Sequence, residues 1–180
     1  MSTWIALIRG INVVGKHVLP MQELVSLFER EGCEEARTYI GSGNVVFRSP
    51  PNIANGLPVR IAAAISRSRG FAPSVLVLSA GELAISIAKN PFPAAQENPK
   101  SLHLFFLAQT PKSPDLDALR RLAAGREAFA LKSRIFYLHT PDGFAESKLR
   151  SRVEHFLGVD ATARNWRTVT ALNDLAQNLQ

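Results

Sequence analysis

A single cysteine, Cys33, stands in 180 residues, so the chain has no internal disulfide and no thiolate cluster for zinc. That excludes a disulfide-stapled scaffold and points to a reducing, cytoplasmic setting. Cys33 reads as a small buried hydrophobe, because Glu34 and Glu35 beside it raise a thiol pKa instead of lowering it. Aspartate is missing until Asp115, so no early strand can supply an acidic metal ligand of the Walker B kind. The four histidines, His17, His103, His139 and His155, show no His-x3-His spacing, and no metal or cofactor is expected. No stretch approaches the ~20 apolar residues of a membrane span. Arg9 interrupts the first short apolar run, which has no basic region before it, so no secretory signal is read there.

What is present is the composition of a folded protein, 46% hydrophobic and 20% charged. The length suits one large domain or two small halves packed together. The net charge is +6, with nine Lys/Arg against six Glu in residues 1–90 and twelve against nine Asp/Glu in 91–180, or +3 in each half. There is no basic tail. A nucleic-acid partner stays open, but charge this evenly spread also describes an ordinary solvated surface.

Apolar runs and turn signals place strands at 3–9, 37–40, 45–48 and 74–78. Pro20 opens a helix that ends at Gly32, and a second helix carries Leu57, Ile61 and Ile65 after a loop bracketed by Pro50-Pro51 and Pro58. Ser79 and Glu82 form a capping box for a short helix to about Lys89. After a connector over 91–100 the order restarts. Strands fall at 101–107, 127–131 and 135–139, helices at 114–124 and 147–157, then a short strand over 160–166 and a last helix. Both halves thus read β-α-β-β-α-β plus one helix. This implies an α+β protein of two ferredoxin-like units, 1–90 and 101–180, with antiparallel sheets and helices packed on them.

The polar residues concentrate in the loop after the first strand, Gly10-Ile-Asn-Val-Val-Gly-Lys-His17. Gly10-x4-Gly15-Lys16 fits part of a phosphate-binding P-loop, but His17 replaces the hydroxyl that would hold magnesium. The helix also starts near Pro20, too late for its amides to cradle a phosphate. These departures argue against a P-loop ATPase. What remains is a candidate anion site of Arg9, Gly10, Asn12, Gly15 and Lys16, with amides free to turn outward.

Gly41-Ser42-Gly43-Asn44 is a hairpin turn and not a nucleophile elbow, which needs a strand-turn-helix. Ser42 and Asn44 remain candidate hydrogen-bonding groups for whatever the opening loop binds. Arg164, Asn165 and Trp166 form a second polar cluster, an anion contact with a stacking surface. The plainer reading makes Trp166 a core plug and has Arg164 bond a carbonyl. Lys148 completes the candidate ligand-binding set.

Ile5 to Lys16, Pro20-Met21, Leu24 and Thr38 to Phe47 resemble a bacterial family catalogued as domain of unknown function 1697. Ser147-Lys148-Leu149 and Thr162 to Trp166 extend the likeness toward the C-terminal end. Val14 stands where that family commonly has a second glycine, and Gly41 where it commonly has Gln. The resemblance implies a two-unit α+β fold and supplies no activity, cofactor or catalytic residue. The favoured expectation is a binding module for a phosphate-bearing ligand, nucleotide or nucleic acid. Its alternatives are an enzyme acting in a cleft between the units, using Lys16, His17 or Ser147-Lys148, and a protein-interaction module recruiting through exposed sheet edges.

Overall fold

The computed structural model describes residues 1–179. The first sheet is built from β1 (Ser2–Arg9), β2 (Glu34–Thr38), β3 (Asn44–Ser49) and β4 (Ser74–Ser79), with α1 (Met21–Arg30) and α2 (Pro51–Arg69) between them. α3 (Ala80–Ala88) follows. The second comprises β5 (Leu102–Leu107), β6 (Ala128–Lys132), β7 (Ile135–His139) and β8 (Ala161–Asn165), with α4 (Leu116–Leu122), α5 (Val153–Leu157) and a final α6 (Trp166–Gln177). Strand orders are β2-β3-β1-β4 and β6-β7-β5-β8, antiparallel throughout. The two orders are the same permutation, so the fold is α+β with two ferredoxin-like units. One compact unit holds Met1–Ile85 and the segment from Ala171 onward, and the other holds Ser86–Thr170.

In the first unit Ala6, Ile8, Val45 and Phe47 pack against Leu24 and Phe28 of α1 and Leu57, Ile61 and Ile65 of α2. These positions alternate along each strand and recur every three or four residues along each helix, so one face of each element makes the core. In the second unit Phe105, Leu107, Phe136 and Leu138 meet Leu119, Leu149, Val153 and Leu157 in the same way. The Ser79–Glu82 capping box forms as read: the Ser79 amide donates to the Glu82 carboxylate at 2.7 Å, and the Glu82 amide to the Ser79 hydroxyl at 3.2 Å.

Three local expectations change. β2 starts at Glu34, because Glu35 takes a left-handed φ of 51° inside a bulge between Glu34 and Arg37. α2 starts at Pro51 and contains Pro58, where a loop was expected. Proline suits the first turn, and the helix accepts the bond lost at Pro58 because Ala54, Leu57, Ile61, Ala64 and Ile65 bury one face. Arg60 folds back over this turn, donating to the Ile53 carbonyl at 2.9 Å and to Glu31 at 2.7 Å. Finally, the helix expected over 147–157 divides into a 3₁₀ turn at Leu149–Ser151 and the short α5. The Arg152 amide bonds Leu149 and the Ser151 hydroxyl bonds the Lys148 carbonyl, an i to i+3 pattern that interrupts α-helical pairing.

Candidate functional site

The β1–β3 register sets Leu7 opposite Asn44, so the end of β1 and the start of β3 lie at the same end of the sheet. The loop after β1 and the turn before β3 are therefore neighbours, a proximity that requires long-range pairing to establish. Gly43 makes the closest approach. Its carbonyl accepts from the Ile8 amide at 2.7 Å, and a Cβ there would lie 2.7 Å from the Ile8 carbonyl oxygen at a φ of +77°. Only glycine fits.

Asn12 ties the two segments. Its side-chain amide donates to the carbonyls of Leu19 and Gly41, each at 2.9 Å, while its oxygen accepts from the Leu19 amide at 2.8 Å. Beyond it, the Lys16 amide donates to the Val13 carbonyl at 2.9 Å and the Asn12 amide to the His17 carbonyl at 3.1 Å. This closes a two-residue hairpin turn whose central residues, Val14 and Gly15, have φ of 48° and 73°. Positive φ at both central positions is the type I′ pattern that matches strand twist. The amides of Val14 and Gly15 have no acceptor among the described residues. His17 serves the loop's own structure: its Nδ1 lies 2.9 Å from the Gly10 carbonyl, and its ring stacks on Phe71 at 4.4 Å.

Residues 1–22 and 36–81 contain no carboxylate. Elsewhere in the unit Arg69 engages Glu23, Arg60 engages Glu31, and Arg48 and Arg37 engage Glu35. Glu82 is committed to its capping box. Lys16, exposed at the turn, has no carboxylate partner among the described residues. Arg9, also exposed, ends β1 in register with Ser74.

The structure thus places Arg9, Gly10, Asn12, Gly15 and Lys16 at the end of β1 and in the loop after it, and Ser42 and Asn44 in the turn that Asn12 ties to that loop. Ser42 sits on the exposed turn, and the buried Asn44 donates to its hydroxyl at 2.9 Å and to the Tyr39 carbonyl at 3.1 Å. Asn44 therefore shapes the turn from within. A concavity of about 420 Å³ in the same unit, lined by Thr3, Arg48, Ser79 and Gly81 among others, is a weaker candidate. Its arginine is already paired with Glu35, and the adjoining helix start is capped by Glu82.

Lys148, Arg164 and Asn165 lie in the second unit. Lys148 is exposed at the 3₁₀ turn. The Arg164 guanidinium donates to the Ala163 carbonyl at 2.9 Å, and burial pulls its pKa down to about 10. The Asn165 oxygen accepts from the Thr168 amide at 2.9 Å, which caps α6, while Trp166 is 5% exposed. Ser147 is buried. His103 stacks on Phe144 with ring centroids 3.5 Å apart, and burial pushes its pKa down to about 4, so it is neutral at pH 7. Burial also lifts the Cys33 thiol to about 11. Among the described residues no group of three His, Cys, Asp or Glu is placed to hold a metal. Among them, too, no helix is long and apolar enough to cross a membrane.

Residues 1–137 match the family model described as protein of unknown function (DUF1697), and the chain belongs to that family. The likeness at 147–149 and 162–166 lies beyond the matched residues. No curated protein matches. Among solved structures, the chain is similar to the conserved bacterial protein SP0830 from Streptococcus pneumoniae. The two are 23% identical over 97% of this chain and 98% of that one, with a TM-score of 0.63, which shows a shared fold. A second structure, of a candidate glycine cleavage system transcriptional repressor, covers 91% of this chain and 96% of its own at 13% identity. Its TM-score of 0.24 carries no argument.

Proposed function

We propose that the loop after β1 binds a phosphate-bearing ligand, and that this binding is the protein's activity. The observation that carries this reading is Lys16, which among the described residues has no carboxylate partner and follows the Val14 and Gly15 amides, which among them have no acceptor. A tight turn with two amides available and an adjacent cation is suited to an anion. Arg9 and the lack of acidic residues across 1–22 and 36–81 favour the same charge. The second unit supports the assignment by contrast: its corresponding segment, Gln109-Thr-Pro-Lys-Ser-Pro114, has neither glycine nor arginine, so the fold itself does not require this loop's chemistry. The lone buried Cys33 fits a cytoplasmic protein that meets nucleotides or nucleic acid there.

The test is a thermal-shift series with pyrophosphate, nucleotides and short oligonucleotides on the wild-type, Lys16→Ala and Arg9→Ala proteins. A ligand binding the native state raises the melting temperature with concentration. The expected result is a saturable rise that Lys16→Ala removes. A rise of equal size in both variants, or no rise with any phosphate-bearing probe, overturns the reading.

A further inference from the structure

We infer that residues 141–148 form a strap over the end of the second sheet, which swings Phe144 off His103 in a local opening while the sheet itself stays folded.

The strap joins β7 to the 3₁₀ turn at Leu149–Ser151, and none of its residues lies in a helix or strand. Both of its ends are fixed. Before it, the Thr140 amide donates to the Ser101 carbonyl at 2.7 Å. After it, Leu149 is fully buried in the core of the second unit. Between these anchors Phe144 makes the inward contact. Its ring stacks on His103 with centroids 3.5 Å apart and planes 10° from parallel, and its centroid lies 6.2 Å from that of Phe105. The Arg150 guanidinium sits 5.7 Å from the same ring.

Closing the strap leaves polar atoms unsatisfied. His103 Nδ1 and Ser147 Oγ are buried without a hydrogen-bond partner among the described residues. Both residues adjoin Phe144: His103 through the ring stack, and Ser147 through its amide, which donates to the Phe144 carbonyl at 3.3 Å. Ser147 as a whole is 5% exposed. A buried polar atom without a partner gives up its hydration and gains nothing in exchange. Opening the strap returns both atoms to water, so they favour the open state.

The stack and the half-buried Phe144 ring favour the closed one. Arg126 and Asp142 clasp the strap at the surface, but a pair whose side chains are 72% and 60% exposed contributes little. The sheet behind is held differently, by the continuous pairing of β5 with β7 and by the core around Phe105, Phe136 and Leu138. A segment held by the Phe144 ring and opposed by unpaired polar atoms opens well below the free energy of unfolding that sheet. Opening uncovers the His103 ring, which sits opposite Asn165 in the β5–β8 register.

The experiment is native-state hydrogen exchange on the full ¹⁵N-labelled chain. It is read at the Gly143 and Ser147 amides, which donate to the Thr140 and Phe144 carbonyls. In the wild type the two are expected to share one protection factor, more than about tenfold below that of the β7 amides. Phe144→Ala should lower the strap protection by about tenfold while the β7 amides change less. His103→Phe, which keeps a ring against Phe144, and Ser147→Ala each remove an unpaired atom and should raise it by about tenfold. Melting temperatures verify that the variants fold.

Unequal protection at Gly143 and Ser147 means independent fraying and overturns the strap. Strap protection equal to that of β7 overturns it too, because the segment then opens only with the sheet. If neither His103→Phe nor Ser147→Ala raises the protection, the unpaired atoms do not drive the opening and the inference fails.

Discussion

Asn12 and Gly41, 29 residues apart in sequence, are joined by a 2.9 Å hydrogen bond that fixes the opening loop to the β2–β3 turn. The same side chain satisfies both backbone groups of Leu19, a residue that is itself 1% exposed. Replacing Asn12 by Ala leaves these groups unpaired, at about 1–3 kcal/mol for a buried donor or acceptor. Asn12→Ala should therefore lower the urea midpoint of the first unit. Asn12→Gly, which relaxes the left-handed backbone but makes no side-chain bonds, should recover only part of the loss. Full recovery would assign the effect to backbone strain instead.

The two glycines of the Gly41-Ser42-Gly43 turn should behave oppositely. A Cβ at Gly43 meets the Ile8 carbonyl oxygen at 2.7 Å and Ile8 and Ile11 side-chain carbons at 3.0 Å. Gly41 has nothing within 4 Å and an ordinary φ. Gly43→Ala is expected to destabilise by more than about 2 kcal/mol, since backbone must move as well as adopt positive φ. Gly41→Ala should stay within about 0.5 kcal/mol of wild type, as exposed substitutions usually do. Chemical denaturation of the two variants side by side checks this.

Val14→Gly should stabilise the protein. Removing a side chain from a left-handed position recovers about 1–2 kcal/mol, and glycine's extra chain entropy returns roughly 0.5–1 of it. A net gain of about 0.5–1 kcal/mol corresponds to a rise of a few degrees in melting temperature for a chain this long. Calorimetry provides the measurement. A lower melting temperature would mean that Val14 makes stabilising contacts despite its exposure.

Much of this architecture is legible from residues alone. Alternating apolar positions in the strands, the Ser79–Glu82 box and the prolines at helix starts mark the repeated element order. Pro58 misleads, because only the buried face of α2 shows that the helix tolerates it. Glu35 misleads too, since a bulge hides the start of β2 from an alternation test. The site is half legible. Glycine, lysine and arginine in one loop mark it, but its partnership with Gly41 depends on the Leu7–Asn44 register, which pairs residues far apart in sequence. Val14 carries no sequence signal as an isolated apolar residue. Asn165, directly before a helix, does carry one: asparagine is among the preferred capping residues, and that is the bond it makes.

Acid should weaken the fold through His103. Burial depresses its folded pKa from 6.5 to about 4, so between those values the unfolded chain binds the extra proton. The stability from keeping His103 neutral is complete above about pH 6.5, declines as pH falls toward 4 and is then exhausted. The full effect is on the order of 3 kcal/mol. His139, depressed by burial and by Arg126, adds in the same direction. His103→Phe keeps a ring against Phe144 and removes the titration. Its denaturation midpoint should vary less between pH 6.5 and 4 than that of wild type, and an unchanged pH profile would assign the acid limb to other groups.

The phosphate site itself is tested most directly by following backbone amide resonances of the ¹⁵N-labelled protein through a pyrophosphate titration. The predicted result is a saturable shift of the Val14, Gly15 and Lys16 cross-peaks that is lost in Lys16→Ala, with second-unit resonances unmoved. A spectrum in which these three peaks stay still, or in which Lys16→Ala shifts as wild type does, contradicts the account.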